Sequence, residues 1–180
     1  MSWSRTLLNF FADAFRPPFR TTPWIVLLYA VLSVVYNHDS HFNRWTLPDT
    51  DDYMRLVQML NWVGGQSWFD LHLPRLYPQH LITMHWGRLP DIPLAGFFFV
   101  LRMLAIFFRW QAEAQSLAML TAFLWPPVLL GLLLFLMREI ARPLMGKARA
   151  PLICFFVPLC TQLIFQFMPM RVDHHAYILL

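Results

Sequence analysis

The run QSLAMLTAFLWPPVLLGLLLFLM, residues 115–137, decides the fold because it contains no charged residue along its whole length. A helix needs about 20 such apolar residues to cross a bilayer. The whole chain is biased in the same direction, with 58% hydrophobic and only 13% charged residues among its 180, whereas a typical soluble domain has about 25% charged residues. The sequence therefore predicts an all-α, polytopic integral membrane protein.

Three further apolar runs accompany this one. Residues 21–37 and 150–170 carry no charge and predict two more transmembrane helices, whereas residues 92–108 are interrupted by Arg102. Residues 1–20 place their large apolar side chains largely on one helical face, which predicts a cytoplasmic or interfacial amphipathic helix. Because the last residue lies inside an apolar stretch, we expect the chain to be the N-terminal part of a longer protein.

Positive charge predicts the orientation of these runs. Basic residues crowd the N-terminus and the loop at 138–149, and both are expected in the cytoplasm. This requires two crossings between them, so we expect residues 92–108 to dip into or lie along the outer leaflet. Residues 38–114 and the charged motif at 171–180, with the start of the next helix, then face the exterior. The net charge of +4 is thus a topology signal, and no nucleic-acid partner is expected.

An acidic motif opens an amphipathic segment in the external loop. Residues 49–53 have the sequence Asp-Thr-Asp-Asp-Tyr. Apolar residues then recur at helical spacing: Tyr53, Leu56, Val57, Leu60 and Val63. The pattern predicts a helix that ends at the Gly64-Gly65 pair. One carboxylate is enough to cap it, and three so close repel each other unless a cation or substrate compensates them. Asp51 and Asp52 are therefore candidate catalytic residues, with helix capping as the alternative.

A second charged motif follows the run at 150–170. It has the sequence Arg171-Val172-Asp173-His174-His175. In an extended chain, Asp173 and His175 point to one side and His174 to the other. A carboxylate and an imidazole at that spacing can hold a divalent cation, and oxygen-rich partners favour Mn²⁺ or Mg²⁺. The alternative is a helix N-cap followed by interfacial histidines.

The external loop contains three short elements with aromatic residues: Trp68-Phe69-Asp70, Tyr77-Pro78 and Met84-His85-Trp86-Gly87-Arg88. Aromatic residues at a membrane interface often serve only as anchors. His85 and Arg88 can instead contact an anionic headgroup or phosphate, Arg88 through its forked guanidinium. Both readings stay open, and both residues are candidates for substrate binding. The other candidates for that role are Tyr53, Arg55, Arg171 and His174.

These elements, in this order, resemble the N-terminal part of the GT-C glycosyltransferase superfamily. The chain is most similar to the catalytic subunit of oligosaccharyltransferases and its bacterial and archaeal relatives. The resemblance implies transfer of a sugar or an oligosaccharide from a polyprenyl phosphate or pyrophosphate donor to a protein, lipid or glycan acceptor. It also implies a divalent metal, Mn²⁺ or Mg²⁺, and a bacterial inner-membrane enzyme whose active site faces the periplasm.

The same resemblance implies residue roles. Asp51 matches the first-loop catalytic aspartate that contacts metal and acceptor. Asp173 matches the first acidic residue of the second motif, and His175 matches the second ligand position, so the implied metal ligands are Asp51, Asp173 and His175. The Trp-Trp-Asp acceptor motif of true oligosaccharyltransferases is absent from the sequence. The resemblance therefore does not extend to asparagine as the acceptor.

Two other classes of protein remain open. In a transporter or an ion-coupled permease, Arg102 and the Asp/His cluster would serve ions or protons. Transporters usually place such charges near the midplane of broken helices, whereas these acids lie at the ends of predicted spans, which favours an interfacial enzyme. In a non-catalytic assembly subunit, the acids would only cap helices.

Overall fold

The computed structural model describes residues 29, 31, 46–73, 83–147, 149–156 and 160–180. The predicted amphipathic helix 1–20, most of the predicted span 21–37 and the Tyr77-Pro78 element lie outside these residues. Two residues of that span, 29 and 31, are helical.

Helices dominate the described chain, and none of its described residues belongs to a strand. Three helices are long: α1 at Thr50–Val63, α2 at Asp91–Phe107 and α3 at Ala114–Met145. Short elements follow: a 3₁₀ turn at Ala150–Leu152, α4 at Ile153–Phe156, α5 at Thr161–Gln166 and α6 at His175–Ile178. An isolated β-bridge between His72 and Thr83 closes the loop between α1 and α2. For the described residues, the protein is thus mostly helical, as predicted.

Helix α1 forms where the acidic motif and the glycine pair predict it, but its buried face includes charged and polar residues as well as apolar ones. Its buried residues are Asp52, Arg55, Leu56, Gln58 and Met59. Of the predicted apolar stripe, Leu56 lies in the core and Leu60 and Val63 pack against it, whereas Tyr53 is 42% exposed. Asp52 and Arg55 can be buried because they have partners inside the protein that compensate the burial of their charges. Gly65, with φ of 106°, lies just beyond the helix end in a conformation that favours glycine.

A buried ion pair joins α1 to α2. Arg55 Nη1 lies 3.0 Å from Asp91 Oδ1, and both side chains are almost fully buried. The same nitrogen donates to the carbonyl of Gly87 at 3.1 Å. Burial raises the pKa of Asp91, and the charge of Arg55 opposes that rise. Apolar residues of all three long helices complete one core cluster, including Met59, Leu94, Phe98 and Leu117.

Helix α3 contains the predicted span 115–137. By length and composition alone it could cross a membrane, and within the described residues it is the one helix that could. The helix does not stop at the predicted loop but continues to Met145. Glu139 pairs with Arg142, three residues later, at 2.9 Å, and opposite charges at this spacing support helical structure.

The predicted span 150–170 is interrupted in the structure. Its described residues form the 3₁₀ turn, α4 and α5, and they end in turns at 167–170. The sequence has prolines at 151, 158 and 169, and proline interrupts a helix because it lacks an N–H and clashes with the preceding turn. A membrane crossing by residues 150–170 stays a prediction.

Replacing Asp91 with asparagine tests the buried ion pair. Asp91→Asn leaves Arg55 buried without a counter-charge, so we expect the free energy of unfolding to fall by about 3–5 kcal/mol. Asp49→Asn is the matched control: Asp49 is exposed at the N-cap of α1, so a change within about 0.5 kcal/mol is expected. Thermal unfolding in detergent, followed by circular dichroism, measures both variants. Equal melting temperatures for the two would contradict the assignment.

Candidate functional site

The carboxylate of Asp52 joins the two acidic motifs. Its Oδ1 accepts hydrogen bonds from the backbone N–H groups of Val172 at 2.8 Å and of Asp173 at 2.9 Å. Asp52 is fully buried, and 120 positions of sequence separate it from Val172. A buried carboxylate needs such donors, and hydrogen bonds to an ionised acceptor are stronger than neutral ones. The first motif therefore fixes the backbone of the second.

Arg171 supplies the positive charge that lies close to both carboxylates. Its terminal nitrogens are 4.0 Å from Asp52 Oδ2 and 3.9 Å from Asp173 Oδ2. Its Nε donates to Gln166 Oε1 at 3.1 Å, and its guanidinium lies over the ring of Phe165 at 4.6 Å. Arg171, predicted to contact substrate, thus has one side-chain hydrogen bond and two longer ion-pair contacts within the protein.

Burial dominates the electrostatics of Asp52. It raises the pKa of Asp52 to about 6, and the charge of Arg171 and the two backbone hydrogen bonds oppose that rise. Asp52 Oδ2 is buried and has no hydrogen-bond partner among the described residues. The side chain therefore holds the second motif with one oxygen, while its other oxygen lies next to Arg171.

A proline in α3 provides a second attachment for the same turn. Pro126 has no N–H and leaves the carbonyl of Ala122, four residues earlier, without its helical partner. The N–H of Met170 donates to this carbonyl at 2.9 Å. Met170 is buried with φ of 75°, a left-handed conformation that costs a non-glycine residue about 1–2 kcal/mol. Hydrogen bonds on both sides of Met170 compensate that strain.

The second motif turns into a helix instead of remaining extended. His174 has helical angles, φ −69° and ψ −15°, and precedes α6. His175 Nδ1 is therefore hydrogen-bonded to Asp173 Oδ2, while His174 Nδ1 lies 2.5 Å from Asp173 Oδ1. The two imidazole rings are 4.4 Å apart. The prediction that His174 points away from the other two residues assumed an extended chain and was wrong.

The two histidines also set the charge of Asp173. Burial alone would raise the pKa of this carboxyl. Hydrogen bonds from the His175 ring and the His174 backbone are the main effects that outweigh burial and leave the pKa of Asp173 below its ordinary value. Asp173 is therefore anionic at neutral pH, as a metal ligand has to be.

Asp173, His174 and His175 form a group that can hold a metal ion. One donor atom from each lies within 4.8 Å of the others, so small side-chain movements are enough to bring all three to one ion. Asp173 is buried, His174 is half-buried and His175 is exposed, so a substrate could reach the remaining coordination positions. Two imidazoles and one carboxylate suit Mn²⁺ better than Mg²⁺, which prefers oxygen ligands. The donor set fits the predicted divalent cation, with His174 in the place predicted for Asp51.

Asp51 is next to Asp52 in sequence but lies outside the metal group. Successive helical residues point about 100° apart, so a helix that turns Asp52 toward the second motif turns Asp51 aside. Asp51 is half-buried and makes no hydrogen bond or ion pair with another described residue. Its carboxylate is thus available to a ligand. Its metal-binding and catalytic roles stay predictions.

Two of the predicted substrate-binding residues, Arg88 and Tyr53, have structural partners. Arg88 is buried, and its Nη1 donates to the carbonyl of Gln58 at 3.1 Å. Its Nη2 donates to Gln66 Oε1 at 2.8 Å and to the carbonyl of Asp70. Burial lowers the pKa of Arg88. The hydroxyl of Tyr53 accepts from the N–H of Leu47 at 3.0 Å. Arg88 ties the loop after α1 to the loop before α2.

Trp86, which the sequence suggests only as an interface anchor, connects these loops to the metal group. Its ring lies 5.1 Å from that of His174 and 5.2 Å from the guanidinium of Arg55. His85, predicted to bind substrate, is exposed and lies 5.0 Å from the same ring. The structure therefore places Arg55 and His85 one aromatic ring away from His174, without direct contact.

Tyr177 adds a link that sequence reasoning missed. Its hydroxyl donates to the carbonyl of Pro90 at 3.1 Å and accepts from Trp125 Nε1 at 2.7 Å. Burial raises the pKa of Tyr177 to about 12, so the hydroxyl keeps its proton. These partners lie 87 and 52 positions away in sequence, so no local sequence pattern predicts the contacts. The sequence carries one signal of contact between α3 and the segment after 167: Pro126 leaves a helical carbonyl free, and Met170 donates to it.

No family model matches the chain, and neither a curated protein nor a solved structure matches it. The resemblance to GT-C glycosyltransferases therefore stays a prediction that rests on the short motifs.

Loss of a ligand should weaken metal binding. We expect His174→Ala and His175→Ala each to lower the affinity of the full-length protein for Mn²⁺ by about 10-fold or more. His85→Ala is the matched control, because this exposed histidine contacts the Trp86 ring but is not a member of the metal group. The electron paramagnetic resonance signal of free Mn²⁺, titrated against each protein, gives the affinities. Equal affinity in all variants would remove the metal assignment.

Proposed function

We propose that the chain belongs to a polytopic membrane glycosyltransferase. It would transfer a sugar or an oligosaccharide from a polyprenyl phosphate or pyrophosphate donor to an acceptor at the external membrane face. The observation that carries the proposal is the bonding of Asp52 to Val172 and Asp173. It unites two acidic motifs that the charge pattern predicts on one side of a membrane. Helix α3, which could cross that membrane, separates them in sequence.

The reaction sets two chemical demands. The bond between the anomeric carbon of the sugar and the donor phosphate oxygen breaks, and its electron pair leaves with the phosphate. A new bond forms from that carbon to an oxygen or nitrogen of the acceptor, which gives up a proton. The site therefore needs positive charge near the leaving phosphate and a carboxylate near the acceptor.

The second motif would meet the first demand. Asp173, His174 and His175 would hold a divalent cation, which supplies positive charge for the leaving group when bound. Asp52 keeps these ligands in place by binding the backbone of their turn. Exposure of His175 leaves an open side through which the donor headgroup could approach.

Asp51 would meet the second demand. It is half-buried, lies next to Asp52 in sequence and is not committed to another described residue. A carboxylate in this position can orient the acceptor and accept its proton. The two adjacent aspartates would then have different roles: Asp52 positions the metal ligands, and Asp51 contacts the acceptor.

An ion-coupled transporter is the second candidate, and one observation favours it. The predicted span 150–170, just before the Asp/His group, contains the short helices α4 and α5 instead of one long helix. Discontinuous spans are typical of transporters. The external loop favours the enzyme, because Trp86 of this loop contacts the ring of His174 and Pro90 of this loop accepts a hydrogen bond from Tyr177.

Transfer of radiolabelled sugar from polyprenyl-linked donors, by membranes carrying the full-length protein, tests the proposal. We expect Asp51→Asn and Asp173→Asn each to lower transfer by about 100-fold or more. Asp49→Asn makes the same chemical change at an exposed position of the same motif and should leave transfer unchanged. Transfer that survives both site variants would refute the assignment. An absence of transfer from every donor, with an ion flux that depends on Asp173, would replace it with the transporter.

A further inference from the structure

Helix α2 has an outward face that the protein leaves uncovered. One side of the helix is buried through Leu94, Ala95, Phe98 and Ala105. Large apolar side chains occupy the rest of the helix and the residue after it: Ile92, Phe99, Val100, Met103, Leu104, Ile106, Phe107 and Phe108. All are exposed, with Met103 at 65% and Phe107 at 78%. So many exposed large apolar side chains on one helix mark a site of interaction.

Contact with α3 indicates what covers this face. The rings of Phe97 on α2 and Trp125 on α3 lie 5.2 Å apart, and the two helices share one core cluster. Helix α3 is long and apolar enough to cross a membrane and exposes Val128 and Leu132. If α3 is surrounded by lipid, the neighbouring face of α2 lies against the same lipid.

The length of α2 limits how it can meet the membrane. It has 17 residues, fewer than the roughly 20 that a crossing requires. These residues extend about 25 Å. Arg102 lies in its C-terminal half and would be costly at the bilayer centre. The helix therefore does not fit a full crossing, and because it is longer than the roughly 15 Å of hydrocarbon in one leaflet, it fits in a leaflet only when it lies along the membrane.

Two arginines indicate how deep the helix lies. Arg102 is exposed and has no hydrogen bond or ion pair with another described residue. Arg109, just beyond the helix end, is exposed beside Trp110, which is 54% exposed. Guanidinium groups bind phosphate oxygens through paired N–H donors, and long basic side chains reach from an apolar region to the headgroups. Tryptophan prefers the same interface.

We propose that the outward face of α2, residues 92–108, lies in one leaflet of a lipid bilayer, with Arg102 and Arg109 bound to lipid phosphates. The occupant is the lipid itself, because the apolar face lies next to a candidate span and is edged by two guanidinium groups with no partner among the described residues. Acyl chains beneath phosphates match this arrangement. The inference does not depend on the reaction, since a transporter would present the same face.

Spin labels at two exposed positions test the depth of α2. Met103→Cys lies on the outward face, and Gln111→Cys lies on the polar connection after the helix. Each is introduced into a full-length protein with Cys154→Ala and Cys160→Ser, and is labelled in phosphatidylcholine–phosphatidylglycerol vesicles. We expect the label at 103 to collide with oxygen, which concentrates in lipid, and the label at 111 with a water-soluble nickel chelate. Nickel collisions at 103 as frequent as at 111, or a label at 103 shielded from both reagents, would overturn the proposal. Shielding would indicate a protein partner or a second copy.

The phosphate contacts have a test of their own. Adding Arg102→Leu should let the helix sink, so the ratio of oxygen to nickel collisions at position 103 should rise. The matched substitution Arg142→Leu, at the far end of α3, should leave that ratio unchanged. A ratio that does not respond to Arg102→Leu would remove Arg102 from the headgroup region and overturn that part of the proposal.

Discussion

The hydrogen bonds from Val172 and Asp173 to the carboxylate of Asp52 are the interaction on which the rest of this structure depends. They connect the first turn of α1 to a turn 120 positions later in the chain. Because Asp52 is fully buried, its charge needs these donors, and the turn in return acquires a fixed backbone. The orientation of Asp173 and its histidines follows from that backbone. The arrangement of the three candidate metal ligands thus depends on the burial of one carboxylate.

Other buried polar contacts keep α1 in the rotation that this interaction requires. Arg55, on the same face as Asp52, pairs with Asp91 at the start of α2. Trp86 lies between Arg55 and His174, so the loop before α2 contacts the metal group directly. On the other side, Met170 is bonded to a carbonyl that Pro126 leaves free in α3. The turn at 170–175 is therefore attached to α1, to α3 and to the loop before α2.

Much of the helical architecture could be predicted from the sequence, while the details of the site could not. The long uncharged run predicts α3, and acidic residues followed by Gly64-Gly65 predict α1, because both signals are local. The choice between Asp51 and Asp52 is not local: it depends on a rotation of about 100° that distant partners decide. For the same reason the extended interpretation of the second motif was wrong, since Asp52 fixes a backbone that then turns at His174. The contacts of Trp86 are long-range and leave no pattern in the chain.

Amide hydrogen exchange at the turn tests the central interaction most directly. The peptide that contains Val172 and Asp173 can be followed by mass spectrometry in the full-length wild-type protein and in two neighbouring variants, Asp52→Ala and Asp51→Ala. The structure predicts that exchange of these amides accelerates when Asp52 is replaced, because their acceptor is lost, and stays at the wild-type rate when Asp51 is replaced. Unchanged protection in Asp52→Ala, or equal acceleration in both variants, would contradict the role assigned to Asp52.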